Sequence, residues 1–474
     1  MKHASGNSAL TRIQSLLDEN SFVQIGTDIS ARSTDFHLYK EDTPSDGVLT
    51  GYGLINEKLI YIYSQNASIL GGSIGEMHSR KITHLYDMAL NMGAPIIGIL
   101  DCSGLRLQES VDALNGLGSI YQKQAQASGI IPQISLIMGN CGGGTSLIPA
   151  LSDFTFLEKT NGCLFLHSPD AIMANRKECC DTASAEWKSK YTQNIDVCGT
   201  ADEIYTAVRK LIDILPANNR FTIMPDTCTD DLNRSCEGFE QTIFDSAAAL
   251  SMIADNNEFF ETKKETAKDM ITGFIRLNGI TIGCIANQTS LETDQKNDAP
   301  VLTAEGAKKA ASFITFCDAF HIPVLTLSNV SGFERSMSSE INAASACASL
   351  TAAYASATVP KVTVITGQAM GSAGVIMGGK PLGIDLVYTF EHAMIGSLDG
   401  THAAKILYEE EPADIIRQKA ADYDAQYNRA ASAASRGYVD AMIRPSDIRK
   451  YLISAFDMLA SKQDSVKYKK HLSI

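Results

Sequence analysis

The sequence predicts an α/β protein built from two copies of one domain. Three observations predict it: one constant offset that pairs the two halves, hairpin signals at the start of each half, and a buried strand in each half that runs straight into a glycine-rich turn. Residues from about 80 to 145 pair with those 228 positions later: Lys81 with Lys309, Pro95 with Pro323, Ser103 with Ser331 and Gly104 with Gly332. Ala125 to Ser128 before Pro132 matches Ala353 to Ser356 before Pro360, and Ile137, Gly139 and Gly143 meet Ile365, Gly367 and Gly371. An offset that holds without a gap over three successive elements marks a duplication.

Each copy opens with a hairpin. Gly51 to Ile55 and Leu59 to Ser64 turn at Asn56-Glu57-Lys58; Ile271 to Leu277 and Ile280 to Asn287 turn at Asn278-Gly279, a favoured hairpin dipeptide. A long helix follows in each, over about 75–92 and 303–320. Next come short apolar strands without alternation, Pro95 to Leu100 and Pro323 to Leu327, as expected of strands covered on both faces. A second helix leads to another strand, Gln133 to Met138 or Lys361 to Thr366. The segment from Leu215 to Glu240, with Pro216, Asn218, Asn219, Pro225 and Asp226, reads as a connector, which gives domains of 1–225 and 240–474. The Ala-rich, charged stretch 410–437 predicts one long surface helix.

Composition narrows the class of function. Over 474 residues, 45% are hydrophobic and 20% charged, a globular profile. The net charge of −14, from 40 basic and 54 acidic residues, argues against a nucleic-acid surface, which needs clustered Lys and Arg. No apolar run has the length of a membrane span, and Met1 to Leu17 has no apolar core followed by a cleavage site. The eleven cysteines are scattered without C-x-x-C spacing, so free thiols in a reducing cytoplasm and no metal site are expected.

The chemistry-bearing features are the two turns, Gly139 to Thr145 and Gly367 to Gly374. Glycine admits conformations closed to other residues, and the first amides of a helix have no internal partner, so each turn suits a phosphate or an oxyanion. Neither carries the G-K-[ST] of a P-loop or a G-x-G-x-x-G with a downstream acid, which weakens a nucleotide reading. Tight strand–helix packing without a ligand is the alternative for a single turn; the same feature at matched positions suggests two carbonyl-type partners.

These residues resemble the carboxyltransferase family of acyl-CoA carboxylases, a branch of the crotonase-like superfamily. The resemblance runs through Leu16 to Phe22, Asp46 to Gly51, Gly71-Gly72-Ser73, Glu76 to Ile82, Gly93-Ala94-Pro95 and Ile131 to Ile134. In the second half it runs through Leu302-Thr303, Ala307 to Ala310, Phe316 to Phe320, Ile322 to Val324 and Ala357 to Thr366. It implies two tandem crotonase-like (ββα spiral) domains, the first on the acyl-CoA side and the second on the biotin side. It further implies carboxyl transfer between carboxybiotin on a separate carrier protein and the α-carbon of a short acyl-CoA, a coenzyme A thioester. The amides of Gly143 and Gly144 would hold the thioester oxygen, and those of Ser372 and Ala373 the biotin ureido oxygen, with Gly371 and Gly374 as cofactor-binding residues of that turn. Partners implied are biotin carboxylase and biotin carboxyl carrier subunits, in a homo-oligomer (commonly a hexamer) whose shared site draws its two domains from different subunits.

Arg80 and Lys81 either meet CoA phosphates or form a solvated helix face, and Gly104 with Arg106 are further candidates for CoA. His78 reads as structural, because the implied mechanism needs no side-chain base. The sequence departs from the family mainly on the biotin side: a Y-G-G-A-Y-D turn becomes Met370-Gly371-Ser372-Ala373-Gly374-Val375. Three alternatives follow: a malonyl- or methylmalonyl-CoA decarboxylase subunit using the same site in reverse, a scaffold subunit with reduced turnover, and a serine hydrolase using Ser372 with His392.

Overall fold

The structure, a computed structural model, describes residues 9–32, 43–172, 181–220, 225–288 and 300–462. The chain divides into two units, Met1–Thr222 and Ile223–Ile474. The first begins with α1 (Ala9–Leu16), β1 (Val23–Ile25) and the hairpin of β2 (Val48–Ile55) and β3 (Lys58–Gln65). Then follow α2 (Glu76–Met92), β4 (Ile96–Cys102), α3 (Ser110–Ala127) and β5 (Gln133–Gly142). The unit closes with β6 (Phe154–Glu158), β7 (Cys163–Phe165), α4 (Ala185–Tyr191), β8 (Val197–Gly199) and α5 (Ala201–Ile214). Among the described residues the sheet order is β1-β2-β3-β4-β5-β6-β8, with β7 paired to the end of β5. The hairpin edge is antiparallel; from β3 onward every pairing is parallel.

Local sequence explains these elements. Ile96, Ile97, Ile99, Leu136 and Ile137 are fully buried on both faces of the sheet, which is why these strands lack alternation. Helix α2 turns Ile82, Leu85, Tyr86 and Ala89 inward at helical spacing and ends at Gly93 in the left-handed conformation (φ 64°). Helix α5 begins with a capping box, Thr200 and Glu203, and buries Ile204, Val208, Leu211 and Ile212.

The second unit repeats the plan. It comprises α6 (Ser246–Ile253), β9 (Phe259–Thr262), β10 (Met270–Leu277), β11 (Ile280–Asn287), α7 (Ala304–Ala319), β12 (Val324–Val330) and α8 (Met337–Ser356). Next are β13 (Lys361–Met370), α9 (Gly371–Ile376), β14 (Leu386–Thr389), β15 (Met394–Gly396) and α10 (Gly400–Leu407). The unit ends with α11 (Ala413–Tyr423), β16 (Ala441–Met442) and α12 (Ile448–Leu459). Its sheet runs β16-β14-β13-β12-β11-β10-β9, with β15 on the end of β13 as β7 is on β5.

The duplication is visible in individual hydrogen bonds, well beyond the stretch where the sequences align. In the first hairpin turn the Asn56 and Glu57 amides donate to the Asp18 carboxylate (3.2 and 3.0 Å), which Arg209 holds at 2.6 Å. In the second, the Asn278 and Gly279 amides donate to Asp255 (3.2 and 2.8 Å), held by Arg449 at 2.6 Å. Deeper in the sheet, the Gln133 amide donates to Asp153 and the Lys361 amide to Asp385, both at 2.8 Å. Burial pushes the Asp153 carboxyl up to about 7.

Two expectations need correction. The 410–437 stretch is not one helix: α11 passes into a π-turn at Asp424–Asn428, Arg429 is extended, and a short helix follows at Ala430–Ser435. The Asn428 amide group, donating to Leu398 O (2.9 Å) and Asp424 Oδ1 (2.7 Å), draws the chain off the helical path. Nor is 226–240 an open connector. The Asp226 amide donates to Gly279 O and the Cys236 amide to Ser446 O, and Arg234 reaches Met252 O and Ala254 O, so the segment folds as part of the second unit.

The first hairpin turn places Asn56 (φ 50°) and Glu57 (φ 65°) both in the left-handed region, where the second copy has Asn278 and Gly279. Glu57 is exposed, and only its amide is used by Asp18. Glu57→Gly is therefore expected to stabilise the chain by about 0.5–1 kcal/mol, the relief of left-handed strain less the added chain entropy. A thermal melting point that falls in this variant would refute that account.

Candidate active site

Both glycine-rich turns sit where a central strand leaves its sheet. β4 and β5 shift register between Leu100 and Cys102, and β12 and β13 between Ser328 and Val330, so an irregularity interrupts each pairing just before the turn. Gly143 (φ 62°) and Gly371 (φ 60°) occupy the same place in the two copies, both left-handed. A side chain at either position would be strained, and beside Gly143 no atom lies within 4 Å of where a Cβ would stand. The exposure pattern also repeats: Gly144 and Ser372 are exposed, while Thr145 and Ala373 behind them are buried. Each turn thus presents a left-handed glycine followed by an exposed residue.

The helices behind the turns are shorter than the sequence suggested. A 3-10 turn, Gly143–Ser146, precedes one helical turn at Leu147–Ala150, and α9 has six residues. Individual peptide dipoles, rather than a long macrodipole, therefore supply the positive potential. In the first turn the carbonyls are held from behind: Thr145 Oγ1 donates to Gly142 O (2.8 Å), Ser146 Oγ to Gly143 O (2.7 Å), and Tyr121 OH to Gly144 O.

Among the described residues, the thiols and imidazoles near the turns are not set up as a nucleophile and its base. Burial pushes the Cys141 thiol up to about 12 and the Cys102 thiol up to about 11, so both stay protonated and inert. His78 is completely buried; its Nδ1 meets Asp46 O at 2.9 Å and its Nε2 meets Gln65 at 3.3 Å. Desolvation lowers its pKa to about 3, so the ring is neutral. His392 packs against Phe390 (5.7 Å between ring centroids), and among the described residues no hydrogen bond joins it to Ser372. Among the described residues there is no group of His, Cys, Asp and Glu able to hold a metal ion.

Two cationic candidates are corrected. Lys81 is buried, and its ammonium donates to Ser45 O (2.9 Å), Ser45 Oγ (2.6 Å) and Val48 O. Its repeat partner Lys309 does the same for Lys263 O (2.8 Å) and Thr266 O (3.0 Å). Arg106 is 1% exposed; it pairs with Asp46 and with Glu109 (2.8 Å) and donates to Ser73 O (2.9 Å). Both cations are turned inward onto the protein's own oxygens. Arg106 and Glu109 tie the start of α2 to the 103–109 loop, since the same Glu109 carboxylate accepts the Glu76 amide at 2.6 Å, whereas Lys81 ties α2 to the segment at Ser45 and Val48. Arg80 is different: it is exposed on α2, paired with Glu76 at 2.7 Å, beside a groove of about 220 Å³ between α2 and α3. Gly104 (φ 118°) has open space on its Cβ side, and its amide points to Cys102 Sγ at 3.3 Å. Gly374 lies against the Ala369 backbone, 2.5 Å from where its Cβ would stand, and packs the second turn.

A model of the carboxyl transferase domain matches residues 2–474. The chain belongs to the carboxyl transferase family. It is 38% identical to the propionyl-CoA carboxylase beta chain of Roseobacter denitrificans, covering 100% of this chain and 94% of that one. It is 35% identical, with the same coverage, to the methylmalonyl-CoA decarboxylase subunit alpha of Propionigenium modestum. Among solved structures it superposes on a chain of the transcarboxylase 12S crystal structure with methylmalonyl-CoA and methylmalonic acid bound, at a TM-score of 0.92 and 32% identity, covering 98% of this chain and 92% of that one. The duplicated α/β architecture is thus that of a carboxyltransferase. Among the described residues no helix is long and apolar enough to cross a membrane.

Proposed function

We propose that this chain is the carboxyltransferase subunit of a biotin-dependent enzyme, moving a carboxyl group between biotin on a separate carrier and the α-carbon of a short acyl-CoA. The observation that carries the reading is the pair of matched turns, each with a left-handed glycine followed by an exposed residue, in a member of this family. The amides of Gly143 and Gly144 hold the thioester oxygen as negative charge develops on it. Those of Ser372 and Ala373 hold the ureido oxygen, with Gly371 and Gly374 setting the turn. At the second turn a Cβ on Gly371 would already touch Ser397 O, 3.4 Å away, so a glycine is what keeps the main chain open to a bound group there. When bound, biotin supplies the carried carboxyl group and the base at the α-carbon.

Stabilisation of this kind asks the protein for fixed donors and a shaped cavity, not for a nucleophile. Arg80 and Gly104 are the candidates left for CoA. The working assembly is a homohexamer in the cytoplasm, served by biotin carboxylase and biotin carboxyl carrier subunits. The reverse direction, decarboxylation of methylmalonyl-CoA, is a second reading, favoured by the similarity to decarboxylase subunits.

The test is incubation of purified protein with methylmalonyl- or malonyl-CoA and free biotin, following acyl-CoA by chromatography and free thiol by a thiol-reactive dye. The expected result is biotin-dependent formation of propionyl- or acetyl-CoA with no thiol released. Release of free CoA would instead support a hydrolase, and intact substrate throughout would overturn the transferase reading.

A further inference from the structure

We infer that Thr145, Ser146 and Tyr121 are positioning residues that aim the amides of the first turn, a role resting on the assignment of Gly143 and Gly144 as oxyanion donors. A trans peptide is planar, so the carbonyl of one residue and the N–H of the next point in opposite directions along one plate. Fixing the carbonyl end fixes the donor end. Thr145 Oγ1 holds the carbonyl of Gly142 at 2.8 Å, which orients the Gly143 N–H. Ser146 Oγ holds the carbonyl of Gly143 at 2.7 Å, which orients the Gly144 N–H. Tyr121 OH holds the carbonyl of Gly144 and so the third plate. Three hydroxyls thus hold three consecutive plates of a segment that begins with three glycines and has little intrinsic stiffness.

The second turn lacks these supports. Ala373 and Gly374 stand where the first copy has Thr145 and Ser146, and neither carries a hydroxyl. There the regular bonds of α9 and the packing of Gly374 on Ala369 take over. The first turn is a four-residue 3-10 segment, in which main-chain bonding alone is weaker. Burial also raises the pKa of Tyr121, which keeps its hydroxyl protonated and a donor. Hydroxyls of this kind matter most when charge builds on the bound oxygen, because a misaimed donor weakens the transition state more than the ground state.

The test compares Thr145→Val, Ser146→Ala and Tyr121→Phe with the conservative Thr145→Ser and Ser146→Thr. Carboxyl transfer from methylmalonyl-CoA to free biotin is measured, together with amide hydrogen exchange of the 140–147 segment. The expected result is a fall in kcat of about tenfold for Ser146→Ala and Thr145→Val. KM for the thioester stays within about twofold, activity is regained in the conservative variants, and exchange in the turn is faster. A kcat equal to the parent in both truncations overturns the inference. Should the parent itself carry out no transfer, the oxyanion assignment fails instead, and exchange decides the hydroxyls: faster exchange keeps them as supports of the turn, unchanged exchange removes that role.

Discussion

Gly143→Pro is expected to lower kcat for carboxyl transfer by about 10²–10³-fold, the effect of deleting one preorganised oxyanion donor. Proline removes the N–H and fixes φ near −65°, whereas Gly143 sits at +62°. The preceding Gly142 is extended (φ −122°, ψ 156°), a conformation that a following proline tolerates, so the change is confined to the turn. Gly143→Ala separates strain from donor loss. The Cβ side is open and the N–H is kept, so this variant bears only the left-handed strain of about 1–2 kcal/mol. Kinetics on both, with Kd for the thioester and melting points as controls, provide the check. A proline variant with kcat within threefold of the parent, or an alanine variant as impaired as proline, would remove Gly143 from the donor set.

The site was only partly legible in the sequence, for a physical reason. The hairpins, the long helices and the two turns were readable because periodicity and glycine spacing are local properties of the chain. The strand ends extend to Gly142 and Met370, beyond the expected Met138 and Thr366, because pairing with β7 and β15 is a tertiary contact that local pattern does not record. The duplication was readable only where insertions leave a constant offset. The matched pairs Asp18–Arg209 and Asp255–Arg449 lie outside that window, with different loop lengths between them.

Lys81 and Arg106 show the other limit. Basic residues beside a candidate anion site suggest phosphate contacts, and nothing in their spacing tells that both cations are enclosed and satisfied by the protein's own oxygens. The repeat did contain a signal. Lys309 is matched to Lys81 at the common offset, and a lysine kept in both copies is better explained by a shared structural bond than by one ligand's phosphates.

Arg106→Leu is expected to destabilise the chain by about 3–5 kcal/mol, because it strands charge rather than simply removing an attraction. Asp46 and Glu109 have fully buried side chains, and the guanidinium touches both while also donating to Ser73. Lysine is a poor replacement: a point ammonium does not reach in the three directions that the planar fork does. Burial already raises the Asp46 pKa above its ordinary 3.8, and Arg106 is the main influence opposing it. In the variant the folded-state pKa rises further, so its carboxylate is favoured when protonated. The deficit against the parent is then small below pH 3.8 and grows as pH rises through the folded pKa of Asp46. Paired thermal or urea unfolding of parent and variant across that range gives the measurement. Adding Asp46→Asn and Glu109→Gln to Arg106→Leu removes the stranded charges and should recover part of the loss. A variant as stable as the parent at neutral pH would mean that water reaches the cluster, and that the start of α2 is held by its apolar face instead.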